Sequence, residues 1–249
     1  MASGSLLGLY YKEVRSYAVG YEQYYELKPL DFEEYLWAVG IKEEYIEDCR
    51  KAFKNIEKIE DFYLDIFNEH FKEYLIVGGM PLVVKKYIET KSFNIALEEQ
   101  EKIINAYLLD VSKYATLPDK PKIVDTFRSI PVQLARKNKR FIYTEINNEK
   151  DTGERKYISS LQWLNDAGII NYCYNLTEPA APLMVNIKKK TFKVYMKDTG
   201  LLVSMLDSSI RLNLLNKELY VNEGSIVENI CASLLSNRKD SLISFLNNN

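Results

Sequence analysis

Apolar positions recur at three- and four-residue steps over much of the chain, the period of amphipathic helices. Ile56, Ile59, Phe62, Tyr63, Ile66, Phe67, His70 and Tyr74 share one helical face. Ile95, Leu97, Ile103, Ile104, Tyr107, Leu108, Val111 and Tyr114 share another. Between them, Gly78-Gly79-Met80-Pro81 ends one helix and starts the next. Residues 41–117 are therefore expected to be wholly helical. Upstream, Tyr21 to Leu27 predicts a strand that Pro29 stops. A helix follows from Leu30 to Ala38, with acids in its first turn to suit the helix dipole and Gly40 as its stop.

Pro118 and Pro121 mark an expected domain boundary. Beyond it, Ile123 to Arg128 and Ile130 to Ala135 read as two short helices, and Phe141 to Ile146 as a short strand. A third helix runs from Lys156 to Ala167, with Tyr157, Ile158, Leu161 and Leu164 on its buried side and Gly168 as its stop. Ile169 to Tyr174 and Thr191 to Met196 read as paired strands around a loop carrying Pro179, Pro182 and Lys188-Lys189-Lys190. Three helices and a two-stranded wing are the order of a winged helix. Residues 222–236 form a last amphipathic helix, Leu242 to Leu246 a last strand, and no internal repeat is present. The expected fold is mainly α with an α+β part: a helical segment, 41–119, then a winged-helix domain, 120–206.

Composition narrows the class. Apolar residues make up 47% of 249, enough for a sizeable core and too many for global disorder. Cys49, Cys173 and Cys231 are scattered, which fits buried thiols in a reducing compartment and neither a disulfide framework nor a zinc site. No apolar run reaches the ~18 residues of a membrane helix, and the first residues lack the pattern of a secretory leader. The expected address is the cytoplasm, with no membrane partner. His70 is the only histidine, so no Ser-His triad and no paired imidazole metal site can form. We expect no catalytic and no metal-binding residues.

Charge changes the picture more. The net charge is only −2. Residues 1–119 hold 14 Lys/Arg against 22 Asp/Glu, whereas residues 120–200 hold 15 against 8. A basic block inside an acidic chain is a candidate footprint for nucleic acid. Arg155, Lys156, Ser159, Ser160 and Gln162 are expected on the outer side of the third helix, where Arg and Gln suit base edges and Lys and Ser suit phosphates. Lys188, Lys189, Lys190 and Lys193 belong to the expected wing, and Arg136, Lys137, Lys139 and Arg140 form a second cluster. The alternative for both clusters is a solvated surface, or a protein-interaction face.

Several phrases carry a family resemblance. They include Ser3-Gly4-Ser5-Leu6-Leu7-Gly8, Pro29-Leu30-Asp31-Phe32-Glu33-Glu34 and Gly78-Gly79-Met80-Pro81. Further on come Ser129-Ile130-Pro131, Leu161-Gln162-Trp163-Leu164-Asn165-Asp166-Ala167-Gly168, Lys197-Asp198-Thr199-Gly200-Leu201-Leu202 and Glu223-Gly224-Ser225-Ile226-Val227-Glu228-Asn229. In this order they resemble prokaryotic AAA-type ATPases (AAA_14-like) with a C-terminal DUF4143 domain. The resemblance implies an ATPase remnant at 1–40, the helical and winged segments, and the start of a nuclease-like region at 207–249. It implies a nucleotide-sensor remnant at Ser3 and Ser5, an arginine near a neighbouring nucleotide at Arg128, and a nuclease-like remnant at Glu228.

The chain has no GxxxxGK[ST] motif. ATP and magnesium belong to the whole family protein, and no cofactor is expected here. The function expected on this resemblance is the non-catalytic C-terminal portion of such an ATPase, lacking its P-loop and Walker B. It would bind double-stranded DNA, a missing ATPase half or a partner protein. The alternative is a protein-interaction adaptor with no nucleic-acid role.

Overall fold

The computed structural model describes residues 25–147, 153–215, 223–236 and 243–244. Its elements run α1 (Phe32–Ala38), α2 (Glu43–Asn55), α3 (Asp61–Val77), α4 (Pro81–Thr90), α5 (Phe93–Tyr114), α6 (Lys120–Leu134), α7 (Glu154–Asp166), β1 (Ile170–Leu176), β2 (Ile187–Met196), α8 (Thr199–Ser204), α9 (Ser208–Leu215), α10 (Glu223–Ser236) and β3 (Ile243–Ser244). The protein is mainly helical, with a small sheet. The chain divides into two compact units. A helical unit takes Pro29–Ile104 and Asp198–Ile230, and a sheet unit takes Met1–Lys28, Asn105–Lys197 and Cys231–Asn249. The division is not the sequential one suggested by Pro118 and Pro121, because α5 continues from one unit into the other.

In the helical unit, α1 starts at Phe32, two residues after the expected Leu30, and ends at Ala38 as expected. The Asp31 carboxylate accepts the Glu34 N–H at 2.9 Å, and the Glu34 carboxylate accepts the Asp31 N–H at 2.8 Å. This reciprocal capping box satisfies two donors that a helix start leaves orphaned. The apolar stripe from Ile56 to Tyr74 is not one helix. α2 ends at Asn55, Ile56 takes a left-handed conformation (φ 59°), and α3 begins at Asp61. Ile56 is 95% exposed, and Phe62 is also exposed. Burial begins only at Tyr74–Val77 in the last turn of α3. The period reports which residues could share a face, and here its first half is only partly covered, Tyr45 of α2 meeting Phe62 at 5.9 Å and Tyr63 at 5.5 Å. His70 lies at the boundary of the packed region, its Nδ1 2.9 Å from a Glu73 oxygen.

The core of this unit closes on a buried polar node. Asp198 caps α8 and is 2% exposed. Its carboxylate accepts the N–H of Gly79 at 2.6 Å and of Leu201 at 2.9 Å. The N–H groups of Met80 and Gly200 also bond to it. Leu30 N–H donates to the Gly79 carbonyl at 2.7 Å, and the Tyr74 hydroxyl to the Leu30 carbonyl at 2.6 Å. The Gln100 amide donates to the carbonyls of Ile76 and Val77, both at 2.9 Å, where α3 ends. Asn229 donates to the Thr199 hydroxyl at 3.0 Å. Four phrases far apart in sequence thus meet as one scaffold.

Gly200 sits where the backbones nearly touch. A Cβ there would lie 2.5 Å from the Val77 carbonyl oxygen and collide with the Gln100 amide. We expect Gly200→Ala to cost about 2–4 kcal/mol, since a backbone carbonyl cannot step aside. Thermal unfolding checks this; a variant as stable as the parent would contradict it.

The sheet unit departs from the expected winged order at two places. Residues 120–134 form one helix, α6, that continues through Pro131. Ile123, Phe127, Ile130 and Leu134 are all buried along it. Their burial outweighs the single backbone bond that proline removes, and the helical φ already suits the ring. Phe141 to Ile146 is not a strand but an irregular segment with a 3₁₀ turn at Tyr143–Glu145. The Gln133 side-chain oxygen accepts the Ile142 N–H at 2.7 Å, so a ladder is not needed to satisfy it. Phe141 N–H still reaches the Phe192 carbonyl at 2.9 Å.

α7 ends at Asp166, and Gly168, just past its Ala167 cap, takes φ +71°. β1 and β2 are antiparallel, pairing Ile170 with Met196 and Leu176 with Ile187. β3 lies parallel to β1 on its other edge, giving the order β2-β1-β3. The expected strand at Leu242–Leu246 is described only at Ile243–Ser244. Of the strand expected at Tyr21–Leu27, residues 21–24 lie outside the described residues, and Tyr25–Leu27 is not strand.

Candidate nucleic-acid interface

The basic residues of the sheet unit are placed by the β1–β2 hairpin and by the turn after α6. Between Tyr174 and Asn175 the register jumps, since Tyr174 pairs with Phe192 and Asn175 with Lys188. Lys189, Lys190 and Thr191 therefore bulge from the ladder. A bulge bends its strand and re-aims its side chains. Lys188, Lys189 and Lys190 are all exposed. The Arg140 guanidinium donates to the Lys190 carbonyl at 3.3 Å. The two clusters that sequence separates by about fifty residues thus form one basic edge. Arg136 pairs with Glu145, so part of its charge is spent locally. Lys137 and Arg140 are exposed, and Lys139 is half-buried.

Beneath this edge lies an aromatic cluster. Phe141 and Phe192 stack at 5.9 Å, and Tyr172 and Tyr174 stack at 5.5 Å. Tyr143 meets Phe192 edge-on at 6.2 Å. Burial pushes the Tyr143 phenol up to about 12, with the charge of Glu154 adding to the shift. Burial also raises Tyr172. These phenols stay neutral at physiological pH. The cluster supports the edge; it supplies no acid or base.

On α7, Arg155, Lys156, Ser159 and Gln162 are exposed, as expected. Gln162 donates to Asp166 at 2.7 Å. Ser160 is a correction: it is fully buried, while Ile158 is 48% exposed. Tyr157, Ser160, Leu161 and Leu164 form the buried stripe at helical spacing. Small size lets Ser160 sit in that stripe, and it cannot reach a ligand outside. Lys193 is half-buried, opposite Cys173 in the ladder. Arg128 is exposed on α6, Glu228 lies half-buried on α10, and Ser3 and Ser5 fall outside the described residues. The bulge and the Arg140 contact had no sequence signal, since neither turn chemistry nor periodicity encodes a register jump.

Chemically, this edge can neutralise phosphates. Among the described residues, no three His, Cys, Asp or Glu side chains gather as a metal site. No described helix is long and apolar enough to cross a membrane.

No curated protein and no solved structure matches the chain. A family model does match, over residues 68–211, and it is neither an AAA-type ATPase nor DUF4143. The resemblance drawn from short phrases is thereby overturned. With it go the ATPase remnant at 1–40, the sensor role of Ser3 and Ser5, the nucleotide-facing role of Arg128 and the nuclease-like role of Glu228. Several of those phrases build the Asp198 node, so packing accounts for them without nucleotide chemistry. The match covers more than half of the sequence, and the chain belongs to the DUF8612 family, a domain of unknown function.

Proposed function

We propose that the protein binds double-stranded DNA through the basic edge of its sheet unit. The observation that carries this reading is the Arg140–Lys190 contact, which joins Arg136–Arg140 to Lys188–Lys190. The order of α6, α7 and the β1–β2 hairpin supports a winged-helix-like use of the unit, with α7 presenting Arg155, Lys156, Ser159 and Gln162. Lysines and arginines on an exposed strand edge meet backbone phosphates and release counterions. Arg155 and Gln162 are the residues suited to read base edges. The compartment fitting this role is the cytoplasm.

The test is a titration of duplex DNA at low and rising salt. Binding at about 50 mM salt that weakens steeply towards about 200 mM is the expected result. No binding at low salt would overturn the proposal. It would favour a second reading, a protein-interaction adaptor, for which the exposed Phe53, Ile56 and Phe62 of the helical unit are the specific observation.

A further inference from the structure

The loop joining β1 to β2 carries three consecutive large apolar residues at its tip. Leu183 is 43% exposed, Met184 70% and Val185 78%. Such a run in water is unfavourable and marks a contact surface. The loop is also tied down. Thr177 N–H donates to the Asn186 carbonyl at 2.8 Å, and the Asn186 amide to the Ala180 carbonyl at 2.9 Å. Val185 N–H donates to the Pro182 carbonyl at 3.1 Å inside a 3₁₀ turn, Leu183–Asn186. Pro179 and Pro182 restrict the chain further. The tip is therefore presented in one shape, with little ordering left to do on binding.

Next to it stand Lys188, Lys189 and Lys190. We propose that Leu183-Met184-Val185 is a wedge that inserts between base pairs of duplex DNA and kinks it, while the three lysines hold the phosphates beside the opened step. Apolar wedges flanked by cations are the usual means of bending DNA from its minor groove. The proposal rests on the DNA-binding reading above and adds how the site engages its partner. The same tip and lysines could meet an anionic lipid surface. The basic edge, however, runs on from the tip through Lys190 to Arg140. A duplex lying along the strand uses that whole length, whereas a membrane met end-on uses only the tip.

The experiment compares the whole protein with a Leu183→Ala, Met184→Ala, Val185→Ala variant on an end-labelled duplex, reading binding and end-to-end energy transfer together. All three side chains are exposed, and an unchanged melting temperature confirms the variant's fold. The expected result is that the parent shortens the end-to-end distance. The variant should bind on the order of tenfold more weakly, with the same salt dependence and no shortening. Binding by the parent without bending, or equal bending by the variant, overturns the wedge and leaves DNA binding standing. No duplex binding by the parent overturns both. Tip-dependent binding to vesicles of anionic phospholipid, with no bending of DNA, overturns the wedge in favour of a lipid surface.

Discussion

Asp198→Asn is expected to lower the stability of the protein by about 3–5 kcal/mol at neutral pH. The carboxylate receives four backbone N–H groups, from Gly79, Met80, Gly200 and Leu201. Both carboxyl oxygens keep lone pairs for N–H donors whether the group is ionised or protonated, whereas an asparagine keeps the shape but offers one acceptor oxygen and turns its amide hydrogens towards N–H donors. At least two buried donors lose their partner, each at about 1–3 kcal/mol. The loss spreads because these donors belong to separate turns, at Gly79–Met80 and at the start of α8.

Burial also pushes the Asp198 carboxyl up from 3.8 to about 6, against the lowering by the N–H groups. The folded state therefore holds this proton more tightly than the unfolded chain. The sign follows: this group's contribution to stability is fully present below the unfolded value and is lost as pH rises to about 6. The stability advantage of the parent over Asp198→Asn should be larger at pH 4 than at pH 7, by about 2 kcal/mol. Denaturant unfolding at the two pH values measures it. An advantage that grows with pH would contradict the account.

The second large effect concerns binding. Reversing the bulge, with Lys188→Glu, Lys189→Glu and Lys190→Glu together, is expected to weaken duplex binding by about a hundred- to a thousandfold at moderate salt. In the proposed binding mode each lysine lost removes a phosphate contact, and each glutamate adds repulsion. All three side chains are exposed. Their replacement should leave the melting temperature nearly unchanged. Arg140→Ala should weaken binding less, since it removes one charge and the bond that holds Lys190 beside the second cluster. A triple variant that binds as the parent does would show that the strand edge takes no part.

Much of the element order was legible in the sequence. Pro29 and the acids after it marked the start of α1 to within two residues, Gly168 the stop after α7, and the paired runs around Pro179 and Pro182 the hairpin. The misses share a physical cause. Residues 123–135 looked like two short helices because local propensity was weighed without the burial of Phe127, Ile130 and Leu134. Ile56 to Tyr74 looked like one face because a period cannot say whether a partner covers it. Ser160 was assigned outward and Ile158 inward, although size and polarity alone do not decide which residue faces the core. The family was misread from short phrases, and around Asp198 close backbone approach accounts for their glycines at Gly78, Gly79 and Gly200. The basic block was visible as charge, but its joining into one edge depends on a register jump that no local pattern announces.

The most direct measurement of the central claim is the slope of log K against log salt for duplex binding. It should be taken for the parent and for Lys188→Gln, Lys189→Gln, Lys190→Gln together. Neutralising three phosphate contacts should make the slope shallower by about 3. An unchanged slope would mean that these lysines touch no phosphate and that the basic edge is not the binding face.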